Sequence, residues 1–521
     1  MNGNNQYNGI PNVANNNIGN VPPANNMQVG AQPVQNMVQQ PAQQPVGPKI
    51  IRTDEGNVTG QNQCPKCGST EIVLNVKTGK LKCEFCRAEF DPKTVDNMIT
   101  DISKLEGQVF GSGAADITNN TDDGKLMTLK CSSCGSEVVI NTEESTQARC
   151  HWCRSTLSIN QQIPNGAVPD MVLPFRVSKE MARGRIEQFV GKRKFFAHPK
   201  FKEEFTTNNI MGVYFPYMLV DVNAHSHLSG QGEHLVRQYT VKVGDSHQTR
   251  YDADLYAVER DFDITIEGLT VESNSDRLNS GAKDKTNNII NSIMPFDIEN
   301  CVKYDSNYLK GYTSERRDTN VDNLRVLVSN QSKDIARFAA NDSLKFYNRG
   351  VNWQNEQLNI KGQQWKAAYL PVWLYSYQEV KGNNKILHYV AVNARTQETM
   401  GSVPIHMPKL FLVSALVELL CLFLMAWVDG DFALLFLLGG PIYFGIMYSR
   451  YRNGGARHKH ELETKRTLTN LQSTDNFIKH EKGLSNPTIR GCNNTSIIGG
   501  KQSIVDQITR ANGIGNIINK K

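Results

Sequence analysis

Eight of the eleven cysteines in this 521-residue chain fall into four Cys-x-x-Cys knuckles. Cys64-Pro65-Lys66-Cys67-Gly68 is followed by Cys83-Glu84-Phe85-Cys86, and Cys131-Ser132-Ser133-Cys134-Gly135 by Cys150-His151-Trp152-Cys153, with equal separation within each pair. A knuckle aims two thiolates to one side, and two knuckles joined by a β-hairpin supply the tetrahedral four-sulfur set that zinc prefers. Cys64, Cys67, Cys83 and Cys86, and likewise Cys131, Cys134, Cys150 and Cys153, are therefore read as two structural Zn2+ sites in two zinc ribbons, residues 61–90 and 130–160. Rubredoxin-like iron and redox dithiols are the alternatives for this spacing. Every corner of each site is a protein ligand, so no place remains for a reacting water, and the expected role is structural rather than catalytic. Neither ribbon carries a core of its own, so metal binding, worth roughly 10 to 16 kcal/mol in comparable peptides, would supply the stability.

Other residues could be drawn into sites. Asp221, Asn223, His225 and His227 are spaced by two on a predicted strand and share one face, with His234 nearby. Val220, Val222, Ala224 and Leu228 fill the opposite face, so the polar set reads as the solvent side of a half-buried strand, and no catalytic residue is expected. Arg183, Arg185, Lys192, Arg193 and Lys194 make a basic helix and loop, read as a solvated face with lipid headgroups as the alternative. Cys301, Cys421 and Cys492 have no sequence partner and read as small hydrophobes.

The elements that would position these groups come next. Leu410 to Tyr448 holds two apolar runs, Leu410–Val428 and Phe432–Tyr448, separated by Asp429-Gly430-Asp431. The first has one ionisable residue, Glu418, and is close to the roughly 20 apolar residues a membrane-crossing helix needs. The pair reads as a two-helix transmembrane hairpin over 410–448, with Gly439-Gly440-Pro441 bending the second helix. Lys409 before it and Arg450, Arg452, Arg457, Lys459, Lys465 and Arg466 after it place both flanks, and so both termini, in the cytoplasm. Glu418 is expected to be neutral and hydrogen-bonded inside the hairpin.

The net charge of +6 is too mild to imply nucleic acid. A mean hydropathy of −0.45 makes the membrane part an anchor on a mostly water-soluble chain. Met1 to Pro48 has neither a charged side chain nor an apolar run, so no secretory signal is read, and cysteines in such a chain favour metal over disulfides. Residues 1–60, rich in Asn, Gln and Pro, read as a disordered arm. Residues 91–129 read as a linker with one short helix, MITDISKLEGQVF, and 449–521 as a basic juxtamembrane segment and polar tail.

The fold class expected is α+β: the two ribbons, a mainly antiparallel β-rich domain over 168–408, and the hairpin. Its strands are MGVYFPYMLVDV, HLVRQYTVKVG, DFDITIEGLTVE, AAYLPVWLYSYQEV and ILHYVAVNA; its helices are SKEMARGRIEQFVGKRK, SGAKDKTNNIINSIM and SKDIARFAANDSLKFYN. Tyr214-Phe215-Pro216-Tyr217-Met218-Leu219 and Tyr369-Leu370-Pro371-Val372-Trp373-Leu374 look alike. Leu173-Pro174-Phe175 and Met294-Pro295-Phe296 stand upstream of them, which points to a duplicated subdomain.

This order of features resembles the bacterial membrane proteins labelled TFIIB-type zinc-ribbon proteins. The resemblance runs over roughly Cys131 to Tyr448: a ribbon, LPF with a helix, GVYFPYMLVDV, MPFD, YLKGY, SER and YLPVWLYSY. The family's closing N-G-x-T-G-x-x-x-G turn stands here as Asn393-Ala394-Arg395-Thr396-Gln397 with Gly401, two glycines short. The resemblance implies a membrane-anchored cytoplasmic protein similar to scaffolds of envelope-associated assemblies; some relatives carry replication or helicase labels, but no GxxxxGK[ST] loop is present here. The function expected is an adaptor that recruits protein partners to the inner face of the membrane and leaves room for an oligomer. The alternative is a membrane-tethered nucleic-acid-binding protein, which the acidic second ribbon (Glu137, Glu143, Glu144 against Arg149) disfavours.

Overall fold

The computed structural model describes residues 49–51, 53, 63–94, 98–115, 126–131, 134, 136–141, 148–157, 162–163, 168–244, 246–274, 290–381, 384–425, 438–452 and 459–484. Most of the expected arm, residues 280–289 of the helix proposed from Ser280, Cys492 and the tail beyond Leu484 lie outside these residues; the described end of that helix, Ile290–Ile293, is a 3-10 turn.

Five long strands carry the fold: β1 (Met211–Val243), β2 (Ser246–Glu272), β3 (Gly350–Lys381), β4 (Asn384–Asn393) and β5 (Lys465–Leu484). The two sequence segments 211–222 and 234–244 are one continuous strand of 33 residues, not two. Gly230 and Gly232 make this continuity feasible, because a Cβ at either would collide with Asn352 O or with Tyr347 and Val258. β3, β1, β2 and β5 pair in that order, each antiparallel to the next. The α+β, mainly antiparallel reading therefore stands.

The two look-alike motifs face each other across this sheet. Tyr214 is opposite Pro371, and Pro216 opposite Tyr369. A proline cannot donate to a ladder, and both occur where a strand changes neighbours. β1 pairs with β2 only from Tyr217 onward, and Thr313–Glu315 takes that side at Val213 and Tyr214. On β3, Met171–Val172 pairs up to Tyr369 and β4 begins at Val372.

Helix α1 (Lys179–Gly191) is capped by the Ser178 hydroxyl, which accepts from Met181 N at 3.3 Å. Helix α2 (Val321–Ala339) places Val321, Leu324, Val328, Ile335 and Ala336 on one stripe. That stripe packs against Val220, Val222, Ala224, Phe262, Ile264, Ile266 and Trp365.

Three expected boundaries change. Lys49–Ile51, inside the supposed arm, is a strand parallel to Gly107–Gly111, and Thr53 Oγ1 donates to buried Asp170 at 2.5 Å. The 91–129 linker also belongs to the body: its proposed helix is a single turn, Ile102–Lys104, followed by Gly107–Gly111, which joins the edge of β3. Lys465–Leu484, assigned to a tail, is a 20-residue strand of the main sheet. Its anchors are Arg260 to Asp475 (2.6 Å), Asn470 to Asp263 (2.9 Å) and His480 to Asp254 (2.6 Å).

Among the described residues one helix, not two, is long and apolar enough to cross a membrane. It is α3 (Met407–Met425), whose Met407–Leu424 window has a mean hydropathy of 2.1 with 11% of it buried. The expected second run is described only from residue 438, where α4 (Gly439–Arg452) has 14 residues. α4 packs on α3 through its glycines: a Cβ on Gly440 would meet Ser414 O at 2.7 Å, and one on Gly439 would meet Cys421 Sγ at 2.4 Å. Gly440 N donates to Glu418 Oε2 at 2.6 Å, giving Glu418 a partner on the neighbouring helix, as expected.

Candidate metal centres and the surfaces around them

All four knuckles close the same way. The amide of Cys64 donates to Ser69 O, Cys83 to Ala88 O, Cys131 to Ser136 O and Cys150 to Ser155 O, at 2.8 to 2.9 Å. The second knuckle of each ribbon then turns through a left-handed arginine, Arg87 at φ 59 and Arg154 at φ 62. Within each set of four cysteines the sulfurs lie within 4.8 Å of one another. Cys64–Cys86, Cys67–Cys83, Cys131–Cys153 and Cys134–Cys150 are separated by 3.6, 3.6, 3.5 and 3.6 Å. A tetrahedron with metal–sulfur bonds of about 2.3 Å has edges of about 3.8 Å, so both sets fit one tetrahedral ion.

The two ribbons differ in what surrounds them. The second is built into the body. Its strand Glu137–Asn141 pairs with Thr313–Glu315, and its knuckle tip is inserted into the core. His151 Nε2 lies 3.2 Å from Glu315 Oε1, Trp152 Nε1 donates to the same carboxylate, and Ser376 Oγ donates to His151 O at 2.8 Å. Trp152 also packs on Phe215 and Tyr389, with ring centroids 5.9 and 5.1 Å away, and the Arg154 guanidinium lies 4.6 Å from the Tyr375 ring.

The first ribbon joins the body at its base. Ile72, Leu81, Cys64 and Cys83 share an apolar cluster with Tyr304 and Tyr308, and Lys310 Nζ donates to Thr70 O at 3.4 Å. Its knuckle tips point outward: Pro65, Lys66 and Glu84 are exposed and Phe85 is 78% exposed. The acidic face expected of the second ribbon meets protein inside this same chain, since Glu137 pairs with Arg316 at 3.2 Å. Glu143 and Glu144 lie outside the described residues.

The polar stripe on β1 is divided rather than gathered into a site. Asp221 and Asn223 are buried, not solvent-facing: Ser103 and Leu105 cover Asn223, and Gly268, Gln364 and Lys366 hold Asp221. Asn223 Nδ2 donates to Ser103 O (2.9 Å) and Leu105 O (3.1 Å); Asp221 accepts from Gly268 N (2.8 Å) and Lys366 Nζ (2.7 Å). His225 lies between Asp263 (3.1 Å) and Asp261 (3.2 Å), and His227 reaches Asp261 (3.3 Å) and Glu259 (3.4 Å). Lys361, Asn470 and His225 hold the Asp263 carboxyl well below the usual range. His234 stacks on Phe346, 4.1 Å away, in a separate contact.

A cleft of about 260 Å³ beside Asp221 is lined by Asp297, Glu299, Cys301, Lys366 and Lys465. Three of its acids are paired: Asp221 with Lys366, Asp297 with Arg395, Glu299 with Lys465. Desolvation pushes the Cys301 thiol up to about 12, so it stays protonated.

In the basic helix and loop, Arg183, Arg185, Lys192 and Lys194 are exposed, as expected of a solvated face, and Arg193 alone is half-buried. Arg183 pairs with Glu187 and Arg185 with Gln397, while the loop 193–198 forms a socket for the helix pair. Arg193 lies 3.6 Å over the Phe189 ring and donates to Arg450 O, and burial beside Arg450 lowers its pKa to about 10. Phe196 N donates to the Tyr451 hydroxyl at 3.0 Å, His406 N to Phe196 O at 2.8 Å, and Val403 N to Tyr451 O at 3.0 Å. In the turn after β4, Gln397 takes a left-handed φ of 65. No family model matches the chain, and no curated protein and no solved structure resembles it.

Proposed function

We propose that this chain is a membrane-anchored cytoplasmic adaptor, with two structural Zn2+ ions and a transmembrane hairpin, that recruits protein partners to the inner face of the membrane. Four thiolates with no open corner favour zinc in a structural role, and the ions' contribution is to fix ribbon shape.

The observation that carries the reading is the path of the chain around α3. An outward-facing apolar helix leaves the body at His406, and the chain returns at Tyr451 to the same socket, Phe195 to Ala197, before β5 joins the sheet. Both ends of the apolar segment are thus held by one body, so both belong on one side of a bilayer, and an even number of crossings follows. Lys192, Lys194, Lys409 and Arg450 surround that socket, which by charge belongs on the cytoplasmic side. The free tip of the first ribbon, around Phe85, is the surface offered to a partner.

A tethered nucleic-acid-binding role is the second reading, drawn from Lys66, Lys82 and Arg87 around Phe85. Crosslinking and pulldown from native membranes, comparing the unmodified chain with Phe85→Asp and with nuclease as a control, separates the two. A specific protein set lost in the variant and indifferent to nuclease supports the adaptor. Recovery that depends on nucleic acid and falls with salt supports the rival. Carbonate extraction tests the anchor: release of the chain into the supernatant would overturn it.

A further inference from the structure

The central ribbon of the sheet ends in a bare edge on each side, at the same height. Among the described residues, β5 pairs only with β2, and β3 over residues 350–361 pairs only with β1. Rows of paired residues run straight across: Gly350, Glu233, Leu255 and Lys479 at one level, Ile360, Ala224, Ile264 and Leu468 at the other. The exposed edge of β3 from 350 to 360 therefore matches the exposed edge of β5 from 468 to 479 in length and position.

An unpaired edge leaves a row of backbone N–H and C=O groups open to another strand, and proteins usually blunt such edges with proline, charge, bulges or short strands. β5 has 20 residues and no proline, shifts register against β2 between Lys479 and Phe477 and between Gln472 and Thr469, and exposes Leu471, Phe477 and Ile478. The geometry points to a second copy of this chain as the occupant: β5 of one molecule adds to residues 350–361 of β3 in the next.

Strand direction supports head-to-tail addition. β3, β1, β2 and β5 alternate, so antiparallel pairing of β5 with the next β3 continues the alternation, and successive copies are related by the twist of the sheet rather than by a reversal. Pairing of β5 with its own two-fold mate would reverse one copy, and would leave the β3 edges open.

The rows supply the test. Asn355, Ser229, Glu259 and Thr474 form one row on the polar face, so Thr474 of one copy falls beside Asn355 of the next. In the full chain, with Cys301, Cys421 and Cys492 changed to Ser, Asn355→Cys and Thr474→Cys are combined and treated in native membranes with a bis-maleimide reaching about 8 Å, the span to diagonal neighbours. Retention of two metal ions per chain checks folding. The expected result is a ladder of dimers and larger species for the double variant, and no product for either single variant. A double variant that stays monomeric overturns the proposal, as it would if the chain's own tail covered the edge; so does dimer formation by Thr474→Cys alone. Light scattering on the unmodified chain in detergent is independent of any variant: masses at multiples of 58.3 kDa support the assembly, and a monomer at micromolar concentration overturns it.

Discussion

The two ribbons share their ligands, knuckle hydrogen bonds and left-handed arginine, yet one is part of the core and the other stands at the surface. The difference rests on the two residues between the last cysteines. In Cys150-His151-Trp152-Cys153 both side chains reach Glu315; in Cys83-Glu84-Phe85-Cys86 the corresponding pair faces water. Metal geometry therefore specifies the module, while the knuckle tip decides whether that module is scaffold or contact surface.

Removing the metal should open this difference widest. A strong chelator should strip the first ribbon quickly and leave the sheet folded, whereas the second ion should leave slowly and with loss of the sheet, because its ribbon must first undock. A colorimetric metal assay run beside circular dichroism checks this, and Cys83→Ser should abolish only the fast phase. Next in size, Trp152→Ala should cost about 3 to 5 kcal/mol in denaturant unfolding, against about 0.5 kcal/mol or less for Phe85→Ala. Equal losses would break the comparison. Glu315→Ala leaves the Trp152 donor and buried His151 without their shared acceptor, for about 1 to 3 kcal/mol in the same unfolding measurement. The smallest effect concerns the arginines. Arg87→Gly should stabilise the first ribbon by about 1 kcal/mol, since a left-handed residue with a Cβ is strained. Arg154→Gly should gain less, because it also loses the Tyr375 contact. Amide hydrogen exchange within each ribbon reads both.

The metal ligands were legible because cysteine spacing alone defines them, and the look-alike motifs were legible because their aromatic strands are buried on both faces. The docking of His151 and Trp152 was not: Glu315, Phe215, Ser376 and Tyr389 come from distant parts of the chain, and nothing local marks them as one site. β5 was missed for a different reason. No side chain from Lys465 to Leu484 is buried, so the strand has no buried face and writes no alternation into the sequence. Residues 102–111 were misread because a five-residue Gly-Gln-Val-Phe-Gly strand, held between Lys49–Ile51 and β3, looks in isolation like the end of a short helix.

The position of β5 also bears on the order in which the protein is made. Every strand that the second ribbon docks against, and every partner of β1 in the sheet, is synthesised after Cys153, so this ribbon can close on its metal while the rest is still emerging. β1 must then wait for β3, more than a hundred residues later, and such distant pairing is slow. β5 follows the apolar helix pair in the chain, so the sheet gains its last strand only after α3 and α4 have left the ribosome. Both helices are thus made before the body is complete, and a chain halted between α4 and β5 would carry an unfinished sheet.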